Sequence, residues 1–234
     1  MNNYQQLADL LFPHVNRTPA ELEQQYPPRT LSPEQKITRF APSPTGFVHF
    51  GGMYQALINE RLAHGSGGKV YLRIEDTDAK REVANAASQL ITTLAHYGVH
   101  FDEGAAVDAE GNVVDNGDYG PYRQSQRAEI YHVYAKELVL HGHAYPVFYD
   151  ETAQAAALAA DKKTENQTRD WAAEADLRRQ QTQRERAITL EQVQEALLRH
   201  EHFVLRLRAE GDPEKKIIFT DLIKGKLELP ENDE

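Results

Sequence analysis

The sequence contains no cysteine, which removes disulfides, thiolate zinc sites, iron–sulfur ligation and a cysteine nucleophile together. A reducing cytoplasm is the compartment such a chain suits. Positive charge is also short: 26 Lys and Arg stand against 36 Asp and Glu, a formal net charge of −10 at pH 7. The surface as a whole therefore repels nucleic acid and leaves room only for a local basic groove. No DNA partner is expected. Long apolar runs are missing too. The stretch from Leu7 to Phe12 is short, is interrupted by Asp9 and follows no basic segment, so neither a secretion signal nor a membrane span is read there. No membrane partner is expected.

What is present is globular in composition. The 234 residues are 40% hydrophobic and 26% charged, enough for one large domain or two modest ones. Leu7, Leu10 and Leu11 share one face of a short helix that should dock on the body of the protein. Pro13, Pro19, Pro27, Pro28 and Pro33 then read as an arm without regular structure. From Lys36 the pattern changes. Ile37 to Phe40 reads as a strand, Ala41 to Gly46 as a loop, and a helix is expected from about Gly51 to the Gly65-Ser66-Gly67-Gly68 stop. A buried strand follows at Val70 to Ile74. Strand, helix and strand make a βαβ unit with parallel pairing and a right-handed crossover.

Apolar spacing predicts a second helix over roughly Lys80 to Tyr97, with Gly98 as its stop. Asp102 to Gly120, rich in Asp, Gly and Asn, reads as a loop. Beyond it a helix is expected around Ser125 to Leu140, a turn at Gly142, a strand at Ala144 to Tyr149, and a polar helical stretch from Glu151 to Arg186. Thr189 and Gln192 form a capping box for a helix to about Arg199. Strands at His202 to Arg208, Lys216 to Phe219 and Lys226 to Leu229 complete an α+β region of mixed pairing. The expected divisions are 1–35 (helix and arm), 36–115 (an α/β half-domain) and 116–234.

Gly67-Gly68-Lys69 is not a phosphate loop, because the earlier glycine is missing and Val70 stands where Ser or Thr would hold magnesium. The first strand-to-helix turn is better suited. Thr45, Gly46, His49, Gly51 and Gly52 gather at a helix N-terminus, where backbone N–H groups and the dipole favour phosphate. The glycines there let a planar base lie against the backbone, and an imidazole can donate to a phosphate oxygen. Arg39 near the end of the first strand and Glu75 just past the second project into the crevice where open parallel sheets bind ligands. A guanidinium can fork onto a carboxylate, and a carboxylate can hold an ammonium. On spacing alone, Arg39 is equally suited to pair with Asp76 or Asp78, and Glu75 to cap a helix. His96 with His100, and His141 with His143, have metal-compatible spacing, but without a carboxylate signature beside them they read as surface or hydrogen-bonded histidines.

Three ordered motifs carry a resemblance. They are Arg39-Phe40-Ala41-Pro42-Ser43-Pro44-Thr45-Gly46-Phe47-Val48-His49-Phe50-Gly51-Gly52, then Arg73-Ile74-Glu75-Asp76-Thr77-Asp78, then Tyr119-Gly120-Pro121-Tyr122-Arg123-Gln124-Ser125-Gln126-Arg127. With the Tyr131, Ala135, Leu138, Gly142 and Ala144-Tyr145-Pro146 series, the chain from Ile37 onward resembles the glutamyl-tRNA synthetase family of class I aminoacyl-tRNA synthetases. The resemblance implies an α/β fold: the first half of a Rossmann-like nucleotide-binding fold, with an α+β connective-peptide insertion that binds the tRNA acceptor stem. It implies ligation of L-glutamate to tRNA(Glu) through a glutamyl-adenylate, with ATP and Mg²⁺; the zinc that some members bind through cysteines near the Ala-Tyr-Pro segment is not expected, because Val147 and Tyr149 occupy that neighbourhood. Thr45, Gly46, His49, Gly51 and Gly52 fall at the ATP site, with His49, Gly51 and Gly52 also catalytic. Arg39, Ala41, Ser43, Glu75 and Thr77 fall at the glutamate site. Arg81, Arg123 and Arg127 are the candidates for tRNA, ahead of Arg206 and Arg208; as residues, each is equally a solvated surface arginine.

Thr45 and Thr77 match the synthetase rather than the shorter paralogue that glutamylates queuosine in tRNA(Asp). That enzyme, and a non-enzymatic acceptor-stem binder, are the alternatives. The family's Lys-Met-Ser-Lys-Ser-type loop is not found in these 234 residues, so by themselves they are expected to be a poor catalyst.

Overall fold

The computed structural model describes residues 3–46, 48–78, 80–81, 83–149, 171–209, 211–212 and 215–231. The chain divides into two compact units, Arg17–His132 and Met1–Asn16 together with Val133–Glu234. The chain opens with α1 (Asn3–Leu11) and α2 (Pro19–Gln25); α1 belongs to the second unit.

The first unit is built on a four-stranded sheet in the order β1 (Ile37–Phe40), β2 (Lys69–Leu72), β3 (Glu103–Val107), β4 (Val113–Asn116). β1, β2 and β3 are parallel, and β4 is antiparallel to β3. Helix α3 (Phe50–Gly65) links β1 to β2, and α4 (Ala86–His96) links β2 to β3, so the expected βαβ unit with parallel strands is present. Phe40, Leu72 and Ile74 are buried against Ala56 of α3 and Leu90 and Leu94 of α4, which leaves the alternate positions on the opposite face. The ladder runs on past the named strands. Arg73 N–H donates to Phe40 O at 3.0 Å and Glu75 N–H to Pro42 O at 2.9 Å. Ile74 exchanges bonds with Tyr122 O and Gln124 N–H, both at 2.9 Å. Segments 41–44, 73–76 and 121–124 therefore lie side by side beyond the ends of β1 and β2.

Three sequence expectations for this unit are corrected. Asp102 to Gly120 is not a loop: it holds the hairpin β3–β4, turned through Asp108, whose Oδ1 accepts from Glu110 N–H at 3.1 Å and Asn112 N–H at 2.7 Å. Gly104 reflects close strand approach, since a Cβ there would lie 2.2 Å from Leu72 O. The proline-rich arm contains α2, because Pro19 stands in the first helical turn, where a missing N–H costs nothing, and Thr18 and Glu21 form a capping box. The helix expected from Lys80 begins only at Ala86. Asn85 before it is left-handed at φ 60°, and Val83 N–H is bonded to Pro44 O at 3.0 Å instead of to its own helix.

The arm is fastened by Arg29. Its two terminal nitrogens donate to the two carboxylate oxygens of Glu103, to which Lys69 Nζ also donates at 3.1 Å. The Arg29 guanidinium lies 3.8 Å from the centroid of the Tyr119 ring. The fork from Arg29 outweighs burial and, with Lys69, holds the Glu103 carboxyl down to about 2 from 4.5. Because the folded value is the depressed one, this stabilisation is complete above about pH 4.5 and is lost as pH falls through about 2. It amounts to on the order of 3 kcal/mol at most. Arg29→Ala is expected to lower the melting temperature at pH 7 and to flatten its fall between pH 4.5 and 2, read by circular dichroism melts. Parallel acid curves for the two proteins would contradict the assignment.

In the second unit, Ala8, Leu11 and Phe12 are buried with Val139, Ala144 and Val193, so the leucine face of α1 docks as expected. Helix α5 (Ala128–Leu140) contains the division between the units. Then follow β5 (Ala144–Tyr149), α6 (Trp171–Arg186), α7 (Leu190–Leu198), β6 (His202–Leu207), β7 (Lys216–Asp221) and β8 (Gly225–Pro230). Thr189 and Gln192 make the expected capping box on α7. Among the described residues the expected mixed pairing is not found: β5–β6 and β7–β8 are both antiparallel two-stranded sheets. The short Asp221-to-Gly225 connection permits only that direction between β7 and β8. The Glu151–Arg186 expectation holds for Trp171–Arg186; residues 151–170 lie outside the described ones.

Candidate functional site

Apart from Arg206 and Arg208, the sequence-predicted site residues fall in the Arg17–His132 unit; in the other unit Arg206 is tied to Glu185, and Arg208 donates to Gly142 O at 3.1 Å. Register places Arg39 opposite Tyr71, and the continued ladder sets Ala41 beside Arg73 and Ser43 beside Glu75. Arg39, Ala41, Ser43, Arg73 and Glu75 thus leave the sheet on the face away from the buried Phe40, Leu72 and Ile74. Arg39 and Ser43 are exposed, Ala41 and Glu75 are half-buried, and Thr77 is exposed. Arg39 has no hydrogen bond or ion pair among the described residues. The two carboxylates that its spacing offered are engaged elsewhere, Asp76 with Arg123 and Asp78 with Arg81.

At the other edge of the loop, Gly46 has φ +138° and Thr45 N–H bonds Ser43 O at 2.9 Å. His49 is the N-cap of α3. Its carbonyl accepts from Met53 N–H at 3.0 Å, while its exposed imidazole makes no capping bond. A Cβ on Gly51 would meet nothing within 4 Å, and one on Gly52 only Phe40 and Val48 side-chain carbons at 3.9 Å. The first turn of α3 therefore presents open backbone N–H groups next to an imidazole that is unengaged among the described residues, the arrangement that suits an anion.

Two residues outside the expected set shape this region. Arg73 Nη2 donates to Glu75 Oε1 at 2.7 Å. Asp76, with a side chain 4% exposed, accepts from Ser125 N–H and Ser125 Oγ, both at 2.8 Å, and from Arg123 Nε at 3.0 Å. Burial pushes the Asp76 carboxyl up, but the bonds from Ser125 and Arg123 outweigh it and hold it below the usual range. The i, i+2 spacing of Arg73 and Glu75 in a strand was the signal that could have found the first. Nothing in the sequence pairs Asp76 with Ser125, 49 positions away.

The three arginines differ. Arg81 is 70% exposed and bonds Asp78. Arg123 is tied to Asp76. Arg127 donates to Pro121 O at 2.6 Å and Tyr119 O at 3.3 Å and lies 6.0 Å from the Tyr131 ring centroid, so it stitches the 119–127 segment. Among the described residues no three His, Asp or Glu side chains are grouped to hold a metal ion, and no helix is long and apolar enough to cross a membrane.

The family described as tRNA synthetases class I (E and Q), catalytic domain, matches residues 36–234. The glutamate–tRNA ligase of Clostridium beijerinckii is 43% identical over 235 aligned positions, covering 99% of this chain and 40% of that protein. The glutamate–tRNA ligase of Acetivibrio thermocellus is 42% identical over 231, covering 98% and 40%. Among solved structures, a glutamate tRNA ligase from Elizabethkingia meningosepticum in complex with its amino acid superposes with a TM-score of 0.61 at 27% identity, covering 84% of this chain and 36% of that one. Glutamate-tRNA synthetase from Elizabethkingia anophelis gives 0.62 at 29%, covering 84% and 37%. The chain thus spans about 40% of the length of the curated relatives it matches. It belongs to the class I tRNA synthetase (E and Q) catalytic-domain family.

Proposed function

We propose that these residues form the glutamate- and ATP-binding half of the active site of a glutamate–tRNA ligase that works in the cytoplasm. The observation that carries the reading is the convergence of Arg39, Ala41, Ser43 and Glu75 on one sheet face, beside the open N-terminus of α3. The names of the relatives support it.

Arg39, with no partner among the described residues, takes the side-chain carboxylate of L-glutamate, and Glu75 takes the α-ammonium. Ala41 is small enough to leave the backbone approachable, and the Ser43 and Thr77 hydroxyls supply hydrogen bonds. ATP sits along Thr45, Gly46 and the first turn of α3. There His49 donates to phosphate oxygens, while Gly51 and Gly52 keep the backbone open. Mg²⁺ bound with the nucleotide would supply screening of its phosphate charge. The glutamate α-carboxylate attacks the α-phosphorus in line, and the bond to pyrophosphate breaks. A terminal ribose hydroxyl of tRNA(Glu) then attacks the adenylate carbonyl, AMP leaves, and the hydroxyl proton is lost to solvent. Neither step needs a covalent enzyme nucleophile, so His49, Gly51 and Gly52 act through position and charge. For tRNA phosphates, exposed Arg81 reaches outward, while Arg123 and Arg127 order the segment that follows.

Equilibrium binding of Mg–ATP and glutamate to the 234-residue chain is the test. Both are expected to bind, and His49→Ala is expected to weaken ATP about tenfold without changing the melting temperature. A folded chain that binds tRNA but neither small molecule would point to the non-enzymatic acceptor-stem binder. Pyrophosphate exchange by these residues alone is expected to be weak, since they contain no Lys-Met-Ser-Lys-Ser-type loop.

A further inference from the structure

We infer that Arg73 is a positioning residue for the amino-acid site, holding the Glu75 carboxylate in the orientation that receives a substrate α-ammonium. The inference rests on the glutamate-binding reading above and adds a residue that reading does not use.

Arg73 and Glu75 are two apart in extended backbone, so both side chains leave the same face. Their main-chain bonds to Phe40 O and Pro42 O hold that backbone on one edge, and the Ile74 bonds to Tyr122 O and Gln124 N–H hold it on the other. Leu72 and Ile74, both 0% exposed, anchor it from the opposite face. On this fixed base Arg73 Nη2 donates to Glu75 Oε1 at 2.7 Å, the side chains being 19% and 32% exposed. Glu75 Oε2 accepts no hydrogen bond among the described residues.

A half-exposed glutamate would ordinarily sample several rotamers, and ordering it on binding costs entropy. A cation fixed on one carboxylate oxygen removes that freedom beforehand and leaves the other oxygen for an incoming ammonium. Arg73 does not compete with Arg39 for a substrate carboxylate. Its charge is already matched by Glu75, whereas Arg39 is exposed and unpaired among the described residues. The division of labour on this face is therefore Arg39 for an anion, Glu75 for a cation, and Arg73 for the geometry of Glu75.

The test is calorimetric titration of the full 234-residue chain with L-glutamate and with glutarate, which is glutamate without its α-amino group. Wild type is expected to prefer glutamate. Arg73→Gln is expected to lower glutamate affinity about tenfold and to leave glutarate affinity unchanged, so the preference collapses. Arg73→Lys should recover part of it, and Arg73→Gln should add nothing in a Glu75→Gln background. If Arg73→Gln is unfolded by circular dichroism, Arg73→Met, which keeps the aliphatic stem, is read the same way. A preserved preference in the folded variant overturns the inference and leaves the glutamate reading standing. Equal losses for both ligands also overturn it, because they assign Arg73 to a carboxylate or to packing. A wild-type chain that binds glutamate no better than glutarate removes the glutamate reading itself, and this inference with it.

Discussion

Gly104→Ala is expected to prevent the Arg17–His132 unit from reaching its native sheet, with a loss above about 4 kcal/mol. Gly104 sits in β3 at φ +124°, and a Cβ there would lie 2.2 Å from Leu72 O and 2.5 Å from Leu72 N. Both atoms are backbone of the adjoining strand, and Leu72 is the registered partner of Gly104, so relief would require β2 and β3 to separate. Because Leu72 precedes the segment that carries Arg73 and Glu75, ligand binding should go with the fold. Gly111→Ala is the control. Its φ is +90° but a Cβ there meets nothing within 4 Å, so only the backbone penalty of about 1–2 kcal/mol is expected. Urea unfolding followed by far-ultraviolet circular dichroism separates the two, and equal midpoints would mean the close approach carries no cost.

Asp76→Ala should be the most damaging of the side-chain changes near the site, at about 3–4 kcal/mol. It removes the acceptor of Ser125 N–H, Ser125 Oγ and Arg123 Nε in a position 4% exposed. Those donors tie the 121–125 segment to the 73–76 segment, so amide exchange of Ile74 and Gln124, which bond across that seam, should accelerate with the loss of stability. Asp76→Asn keeps the shape but turns an amide nitrogen toward donors, and it should cost roughly half as much. A wild-type unfolding midpoint for Asp76→Ala would show that Ile74, Tyr122 and Gln124 hold the seam by main-chain bonds alone.

The elements that local pattern could announce are the ones found where expected. β1, α3 and β2 follow from short strand-like runs at 37–40 and 70–74 bracketing an apolar-spaced helix that ends in glycine. The Thr189 box announces α7 because a cap is a contact between residues three apart. The hairpin β3–β4 is hidden because its Asp, Gly and Asn match a loop in composition, while the reason for Gly104, the nearness of Leu72, is a contact across the sheet. α2 is hidden because five prolines close together suggest an irregular arm, although Pro19 in a first helical turn favours a helix.

The candidate site divides in the same way. Motif order alone named Arg39, Ala41, Ser43, His49 and Glu75, and the register of β1 on β2, carried on by the bonds beyond it, puts Arg39, Ala41, Ser43 and Glu75 on one face. Residue types and short spacings can say which side chains are present and which way a strand or helix would point them. They could not say that Asp76 serves Ser125 and Arg123 rather than Arg39, that Arg73 holds Glu75, or that Arg29 crosses to Glu103. Each of those is a choice among several polar or charged partners, at separations from 2 to 74 positions. Packing makes it, because only burial and the fixed backbone around these groups render one pairing better than the rest.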